Sequence, residues 1–371
     1  MSSIERIKQQ KRSIIARHTN PDNGKGLTQV LTTLVPLSFL WWVAVWSAAV
    51  SYWLTAGVAL LMSLFLLRAF TLMHDCGHGS LFRSARLNRV FGFVFGVISG
   101  MPQYVWSKHH AYHHATNGNW SKYRGPLNVA SVDEFQALTD KQQRAYERAR
   151  HTALAPFAGF VYLVINPRLT WLKGSIRLVG HIVKRKIAQP GKSIGAHAAE
   201  FETPYWTSAQ EYWHMSWNNI VLLGGWAVMC FLMGPALFFA VYLVSVSLAG
   251  AAGIALFTVQ HNFRHAYASS DEGWDYDTAA IHGTSFLILP GWLNWFTANI
   301  AYHHVHHLSV RIPNYCLVQC HEEFAHLLSD VARIKLSEIP QALKYILWDT
   351  RARRIISTAE YEQQERQAAY I

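Results

Sequence analysis

Charge is what this sequence has little of. Asp, Glu, Lys and Arg make up 15% of its 371 residues, where about 25% is usual for a soluble domain. That deficit argues against a disordered chain, a nucleic-acid binder built on charge, and an ordinary soluble enzyme. Cysteine is scarce too: 4 in a chain of this length cannot form a disulfide scaffold. They form neither a haem-attachment nor an iron–sulfur pattern. Nucleophile-elbow, P-loop and dinucleotide-fingerprint motifs are missing, so no bound nucleotide is indicated. There is no repeat of solenoid period and no low-complexity linker. Acidic residues number 22 against 33 basic ones, a formal net charge of +11.

The distribution of charge explains its scarcity. No Asp, Glu, Lys or Arg occurs between Lys25 and Arg68, nor between Glu211 and Arg264. A bilayer-spanning helix needs roughly 20 apolar residues, so each gap can hold two spans joined by a tight turn. In the second gap Gly234-Pro235 separates 217–233 from 236–259, because proline cannot continue a helix begun before it. The first turn falls within 47–53. Residues 1–27 are polar, and the apolar run after them is too long for the core of a secretory signal. With two hairpins, all 33 Lys and Arg residues lie on one side. Basic residues beside membrane spans stay cytoplasmic, which places both termini there. The high net charge thus reflects topology. No basic face interleaved with aromatics marks a nucleic-acid surface, so no nucleic-acid partner is expected.

Three weaker apolar stretches, 90–106, 152–166 and 283–301, are short or interrupted by Gly and Pro, as in interfacial or re-entrant segments. The expected fold is an all-α integral membrane protein with four transmembrane helices in two hairpins and a cytosolic helical cap. Residues 1–27 form a cytosolic N-terminal segment and 28–333 the membrane domain. Residues 334–371 form a cytosolic tail read as a polar amphipathic helix.

Histidine is abundant, with 20 in the chain. Ten lie in three short runs: His74-Asp75-Cys76-Gly77-His78, His109-His110-Ala111-Tyr112-His113-His114 and His303-His304-Val305-His306-His307. A looser pair, His261 and His265, follows the second uncharged gap. Residues three and four apart share a helix face, so His74 and His78 can grip one ion. His110, His113 and His114 project together, and His303, His306 and His307 repeat that pattern. Nearly pure imidazole suits Zn, Cu, Fe or Ni. One structural zinc needs four ligands, so a set of about nine fits two ions sharing them. Zinc has no redox chemistry, which makes two irons for oxygen activation the sharper reading; spacing alone leaves copper open. A helix from Tyr52 to His78 is about 40 Å long and outreaches a hydrocarbon core of about 30 Å. The same holds from Ala236 to His261, so both helices carry ligands to the cytosolic rim. A shared site there requires 90–106 and 283–301 not to span.

Other chemistry is weak. His321-Glu322-Glu323-Phe324-Ala325-His326 has one residue too many for the zinc-protease spacing and reads as a surface helix. Cys316 and Cys320 are spaced for packing rather than for redox or zinc. Asn119-Trp120-Ser121 matches a glycosylation sequon on what is read as the cytoplasmic side.

At these residues the chain resembles the integral-membrane fatty acid desaturase and hydroxylase superfamily. The three histidine runs look like its three histidine boxes, and Phe257 to Asn262 is similar to its extra-histidine segment. Trp295 to Ile300 and Ile312 to Tyr315 look like the acyl-lipid desaturase branch. The resemblance covers roughly 37–321. It implies a four-helix membrane domain under a cytosolic cap that holds two irons, with O2 as co-substrate. His74, His78, His110, His114 and His306 would hold one iron. His113, His261, His303 and His307 would hold the other, with His265 and His109 as alternatives to His261 and His110. Some relatives carry an asparagine where this chain has Phe257. Asp75 and Asn262 are candidates for orienting imidazoles through the second ring nitrogen.

The implied activity is introduction of a double bond into a fatty acyl chain, held in an apolar channel so that one carbon lies near the metals. The 15 Trp, 16 Tyr and 19 Phe can help build such a channel. The alternative outcome at the same site is a hydroxylase, an acetylenase, or an oxidative fatty acid decarboxylase giving a terminal alkene. A membrane metal carrier is the remote alternative; its site would lie near the bilayer midplane. Electrons must come from an external donor, and an acidic ferredoxin-like protein suits the basic face.

Overall fold

The computed structural model describes residues 3–368. Helix α1 (Ser3–His18) leads to α2 (Asn23–Val50) and α3 (Tyr52–His78). Asp22 starts α2, its side chain accepting from Lys25 N at 2.8 Å. The α2–α3 break falls at Ser51, inside the expected window, and Ser47 and Thr55 share a buried hydrogen bond of 3.0 Å across it. Helices α4 (Ala85–Ser99) and α5 (Gln103–Thr116) follow. Gly100 separates them with φ 78°, a left-handed conformation glycine adopts without penalty. That turn interrupts 90–106.

Strand β1 (Ala130–Ser131) and helices α6 (Val132–Gln136) and α7 (Asp140–Ala149) belong to the cap. Residues Thr152–Ala188 then form one long helical rod containing α8 (Ala155–Phe160) and α9 (Asn166–Ala188). Short α10 (Ile194–Ala199) precedes α11 (Ala209–Met233) and α12 (Pro235–Val259). The break between these two lies at Gly234-Pro235, as the sequence indicates. Five helices are long and apolar enough to cross a membrane: α2, α3, the Thr152–Ala188 rod, α11 and α12. The rod adds a fifth candidate where the sequence suggested an interfacial segment.

Helices α3 and α12 form the centre. Ser245 donates to the Ala59 carbonyl at 3.0 Å, and Met62, Phe65 and Ala69 pack in one core with Val241, Tyr242 and Val246. Helix α8 crosses α12 at Gly159 and Gly250, where a Cβ on either glycine would come within 2.5 to 2.6 Å of the other's backbone. Only glycine permits that approach. The outward faces of these helices remain apolar, with Trp53 and Phe231 each 89% exposed near the turns.

The remaining elements close the cap: α13 (Tyr276–His282), β2 (Ser285–Ile288), α14 (Gly291–Phe296), α15 (His303–Leu308) and α16 (Asn314–Glu323). Then come β3 (Ala332–Lys335), α17 (Ile339–Ala342), β4 (Tyr345–Asp349), β5 (Arg354–Ser357) and α18 (Thr358–Ala368). Two expectations are corrected here. The protein is mostly helical but not all-α, since β2 pairs in parallel with β3, and β4 lies between β1 and β5. The tail 334–371 is not one amphipathic helix: among the described residues only α18 is a helix of that kind. Tyr345, Ile346, Leu347 and Trp348 are all buried, a run that packs on both faces of a strand. Arg17 and His18 of α1 pair with Glu323 of α16, so the N-terminal helix also packs on the cap.

Candidate metal centre

The same ends of the long helices converge. Helix α3 ends at His78, and α12 ends two residues before His261. Their other ends lie at the Ser51 and Gly234 turns. Helices α5 and α15 bring the second and third histidine runs to this end. Two groups of imidazoles result, and within each the candidate ligand atoms lie within 4.8 Å of one another. One contains His74, His78, His110, His114 and His306; the other contains His113, His261, His303 and His307. This is the same five-and-four division that the resemblance implies.

In the five-membered group, His114 Nε2 lies 3.0 Å from His110 Nε2 and 3.1 Å from His306 Nε2. His74 and His78 face each other at 3.3 Å between Nε2 atoms. In the four-membered group, His303 Nε2 lies 2.9 Å from His261 Nε2. The groups adjoin: the His114 and His307 rings are 4.2 Å apart between centroids.

Second ring nitrogens set the orientations. His74 Nδ1 lies 2.9 Å from Asp75 Oδ1, and Asp75 Oδ2 accepts from Asn314 N at 3.2 Å. Asp75 thus ties the first histidine run to the start of α16. His261 Nδ1 meets the Gly283 carbonyl at 3.3 Å. Tyr276 donates to the His307 carbonyl at 2.9 Å and fixes the end of α15. Asn262 has another task than expected. Its amide donates to the Tyr345 carbonyl at 3.0 Å, joining the end of α12 to β4 rather than touching an imidazole.

Burial favours the neutral ring at most of these positions. It pushes His110, His113, His114, His303, His306 and His307 well below the usual imidazole pKa, and neighbouring imidazoles push the same way. Burial lowers His261 to about 4, partly opposed by its bond to Gly283. A neutral imidazole presents one lone pair, the form a metal binds. His307 Nε2 is buried with no hydrogen-bond partner, whereas on His114 and His303 the unpartnered buried nitrogen is Nδ1, the one turned away from the facing Nε2 atoms. Unpaired buried nitrogens are costly. Nitrogen lone pairs facing one another are what an iron, copper, nickel or zinc ion would satisfy, so the residues fit a pair of such ions.

The alternatives separate cleanly. His109 is exposed and lines the neighbouring cavity, and His265 is exposed with φ 66° beside Arg354. Neither joins a group. His304, although in the third run, turns away and pairs with His321 at 2.8 Å. His321 therefore faces inward, unlike the surface position expected for it. Cys316 and Cys320 are free thiols, and Cys320 packs in the cap core.

An apolar cavity of about 380 Å³ opens beside the groups, within the size range of small-molecule sites. It runs along α12 from Val246 to Thr258, about 18 Å of helix, between α3, α5 and α8. His110 of one group and His113 and His261 of the other border it. Phe257, Trp106, Tyr123 and Gly253 also line it. Phe257 lies 6.3 Å from His74, 6.4 Å from His110 and 6.2 Å from His303, so it spans both groups. Trp106 stacks on His110 at 4.5 Å. Phe257 was noticed in the sequence only as a departure from relatives, and no spacing signal singles out Trp106.

Apolar helices with paired imidazole clusters at one end define a class, the histidine-rich integral membrane oxidoreductases. The comparisons narrow it. A profile described as fatty acid desaturase matches residues 51–335, and the chain belongs to that family. It is 32% identical over 344 residues to a fatty acid desaturase of Bacillus subtilis, covering 92% of this chain and 88% of the relative. It is 26% identical over 288 residues to a chloroplastic sn-2 acyl-lipid omega-3 desaturase (ferredoxin) of Helianthus annuus, covering 73% and 56%. It is 24% identical over 289 residues to an sn-1 oleoyl-lipid 12-desaturase of a Picosynechococcus strain, covering 74% and 68%.

Proposed function

We propose that this fatty acid desaturase introduces a double bond into an acyl chain by O2-dependent chemistry at two irons held by the nine histidines. Irons held there would supply O2 activation; overall, O2 takes two hydrogens with their electrons from neighbouring acyl carbons, and two electrons from an external donor with two protons from water, and leaves as two waters. His74, His78, His110, His114 and His306 hold one ion, and His113, His261, His303 and His307 the other. Asp75 keeps the His74 ring turned inward by accepting from Nδ1, and the Gly283 carbonyl does the same for His261. The cavity is the observation that carries the reading, because it brings an apolar chain against imidazoles of both groups.

Within it, Leu66, Leu67, Phe70, Val246 and Ile254 exclude water along the chain. Phe257 and Trp106 wall the reacting segment, so one pair of carbons lies near the metals. The membrane domain is taken as 28–333, with 1–27 and 334–371 as cytosolic segments. Helices α2, α3, α11 and α12 span the bilayer, with both termini and the metal centre cytoplasmic, as the one-sided Lys and Arg distribution supports. The Thr152–Ala188 rod does not cross. An acidic donor of ferredoxin type suits the basic face, and the Helianthus relative is by name a ferredoxin desaturase.

The test is product analysis. Cells expressing the protein are fed isotope-labelled fatty acids of several lengths, and their lipids are examined by mass spectrometry. The expected product has lost two hydrogens and kept every carbon. Loss of one carbon or gain of one oxygen would overturn the reading in favour of decarboxylation or hydroxylation.

A further inference from the structure

Helix α9 presents a face that none of the described residues covers. Leu169, Leu172, Ile176, Val179, Val183 and Ile187 recur at spacings of three and four and are all exposed, Ile187 at 79%. Such spacing aligns them in one stripe. Lys173 and Lys184 run along one edge of the stripe, both exposed. No Asp or Glu occurs anywhere from Thr152 to Ala199. The opposite face of α9 is occupied. Trp206 packs where a Cβ on Gly174 would reach within 2.2 Å, Arg177 lies over the Tyr205 ring at 5.3 Å, and His181 reaches the His197 carbonyl at 3.2 Å.

The start of α9 fixes its depth. Arg168 donates to Asn219 at 2.6 Å, to the Gly100 carbonyl at 2.5 Å and to Asn218 at 2.9 Å. Trp171 donates to Ser216 at 2.9 Å. Asn218 stands about 22 Å along α11 from its Gly234 end, inside a hydrocarbon layer of about 30 Å. Helix α9 therefore leaves the protein among lipid tails and carries its basic residues toward the headgroups.

We propose that the stripe of α9 seats in the cytoplasmic leaflet, with Lys173 and Lys184 binding anionic lipid headgroups. An apolar stripe edged by cations is the pattern of a helix lying in a membrane interface. The proposal rests on the membrane placement of α11 given above. Each Lys or Arg near an anionic surface contributes about 1 kcal/mol, roughly a fivefold effect.

Hydrogen exchange tests this on the full-length protein in nanodiscs. One set contains phosphatidylcholine alone, and the other phosphatidylcholine mixed with phosphatidylglycerol. Amides of 169–187 should exchange at least about tenfold more slowly with the anionic lipid. Raising salt on the unaltered protein, or the K173E/K184E double variant, should remove that difference. Exchange of α3 and α12 should stay slow in both lipids, which tests the membrane placement separately. Equal exchange of α9 in the two lipids would overturn the proposal. So would protection that appears in neutral nanodiscs only when an acidic soluble protein is added.

Discussion

The two imidazole groups are built to different margins. The five-membered group has one ring more than a four-coordinate ion needs, and Asp75 backs it with a carboxylate. The four-membered group has no spare, and its one polar backing partner among the described residues is the neutral Gly283 carbonyl. Their exposure differs as well. His78 and His110 of the larger group are partly accessible, whereas all four members of the smaller group are buried. The difference teaches where the centre is fragile: the smaller group relies on completeness and the larger on orientation.

The largest expected effect follows from removing a ring where none is spare. His303→Ala leaves three imidazoles, so bound iron should fall from about two to about one per chain and desaturation should be lost. Metal analysis of the purified protein together with product assay checks this. Two retained irons would break the comparison. His78→Ala should be milder for metal, because four imidazoles remain. Iron should stay near two per chain while turnover falls by about tenfold to a hundredfold, in the range seen when a metal site is disoriented.

Asp75→Asn sharpens the orientation half of the comparison. It leaves all nine rings in place and removes the carboxylate on His74, so about tenfold to a hundredfold should be lost in iron affinity or turnover. The resulting metal deficit should fall on the five-membered group alone, read as a change in the spectroscopic signal of one iron and not the other. Asn262→Ala should instead lower thermal stability by about 1 to 3 kcal/mol, since it leaves the Tyr345 carbonyl without its buried donor. Its iron content should stay near two per chain.

The cavity meets one ring of the larger group and two of the smaller, and Gly253 lies along its wall. A Cβ there would meet only Leu67, at 3.9 Å, so a side chain has room to enter. Gly253→Leu should cut kcat/KM for the longest accepted acyl chain by about tenfold, the scale of about 1 to 3 kcal/mol for pocket methylenes. It should leave shorter chains nearly unchanged, as a series of acyl lengths would show. The smallest effect belongs to His265→Ala. That ring is exposed and joins neither group, so iron content and turnover should change less than about twofold.

Much of this was legible because local spacing carries it. Two histidines four apart on a helix must share a face, and Gly234-Pro235 must interrupt one. The partition into five and four was not local, since it joins residues from α3, α5, α15 and the end of α12. It entered through likeness to a family rather than through spacing. Tyr345 to Trp348 misled for a physical reason: a strand buried on both faces shows a continuous apolar run without alternation. The Thr152–Ala188 rod was hard to read because apolar and basic halves adjoin without a break. Asn262 illustrates a further limit, since nothing at that position signals a carbonyl 83 residues away.

The account rests on nine converging imidazoles acting as two metal sites. Iron analysis combined with X-ray absorption at the iron edge, on the full-length protein purified in detergent, tests that most directly. About two irons per chain in a nitrogen-rich, sulfur-free environment is the predicted result. Fewer than one iron per chain after reconstitution with ferrous ion, or iron bound through sulfur, would contradict it.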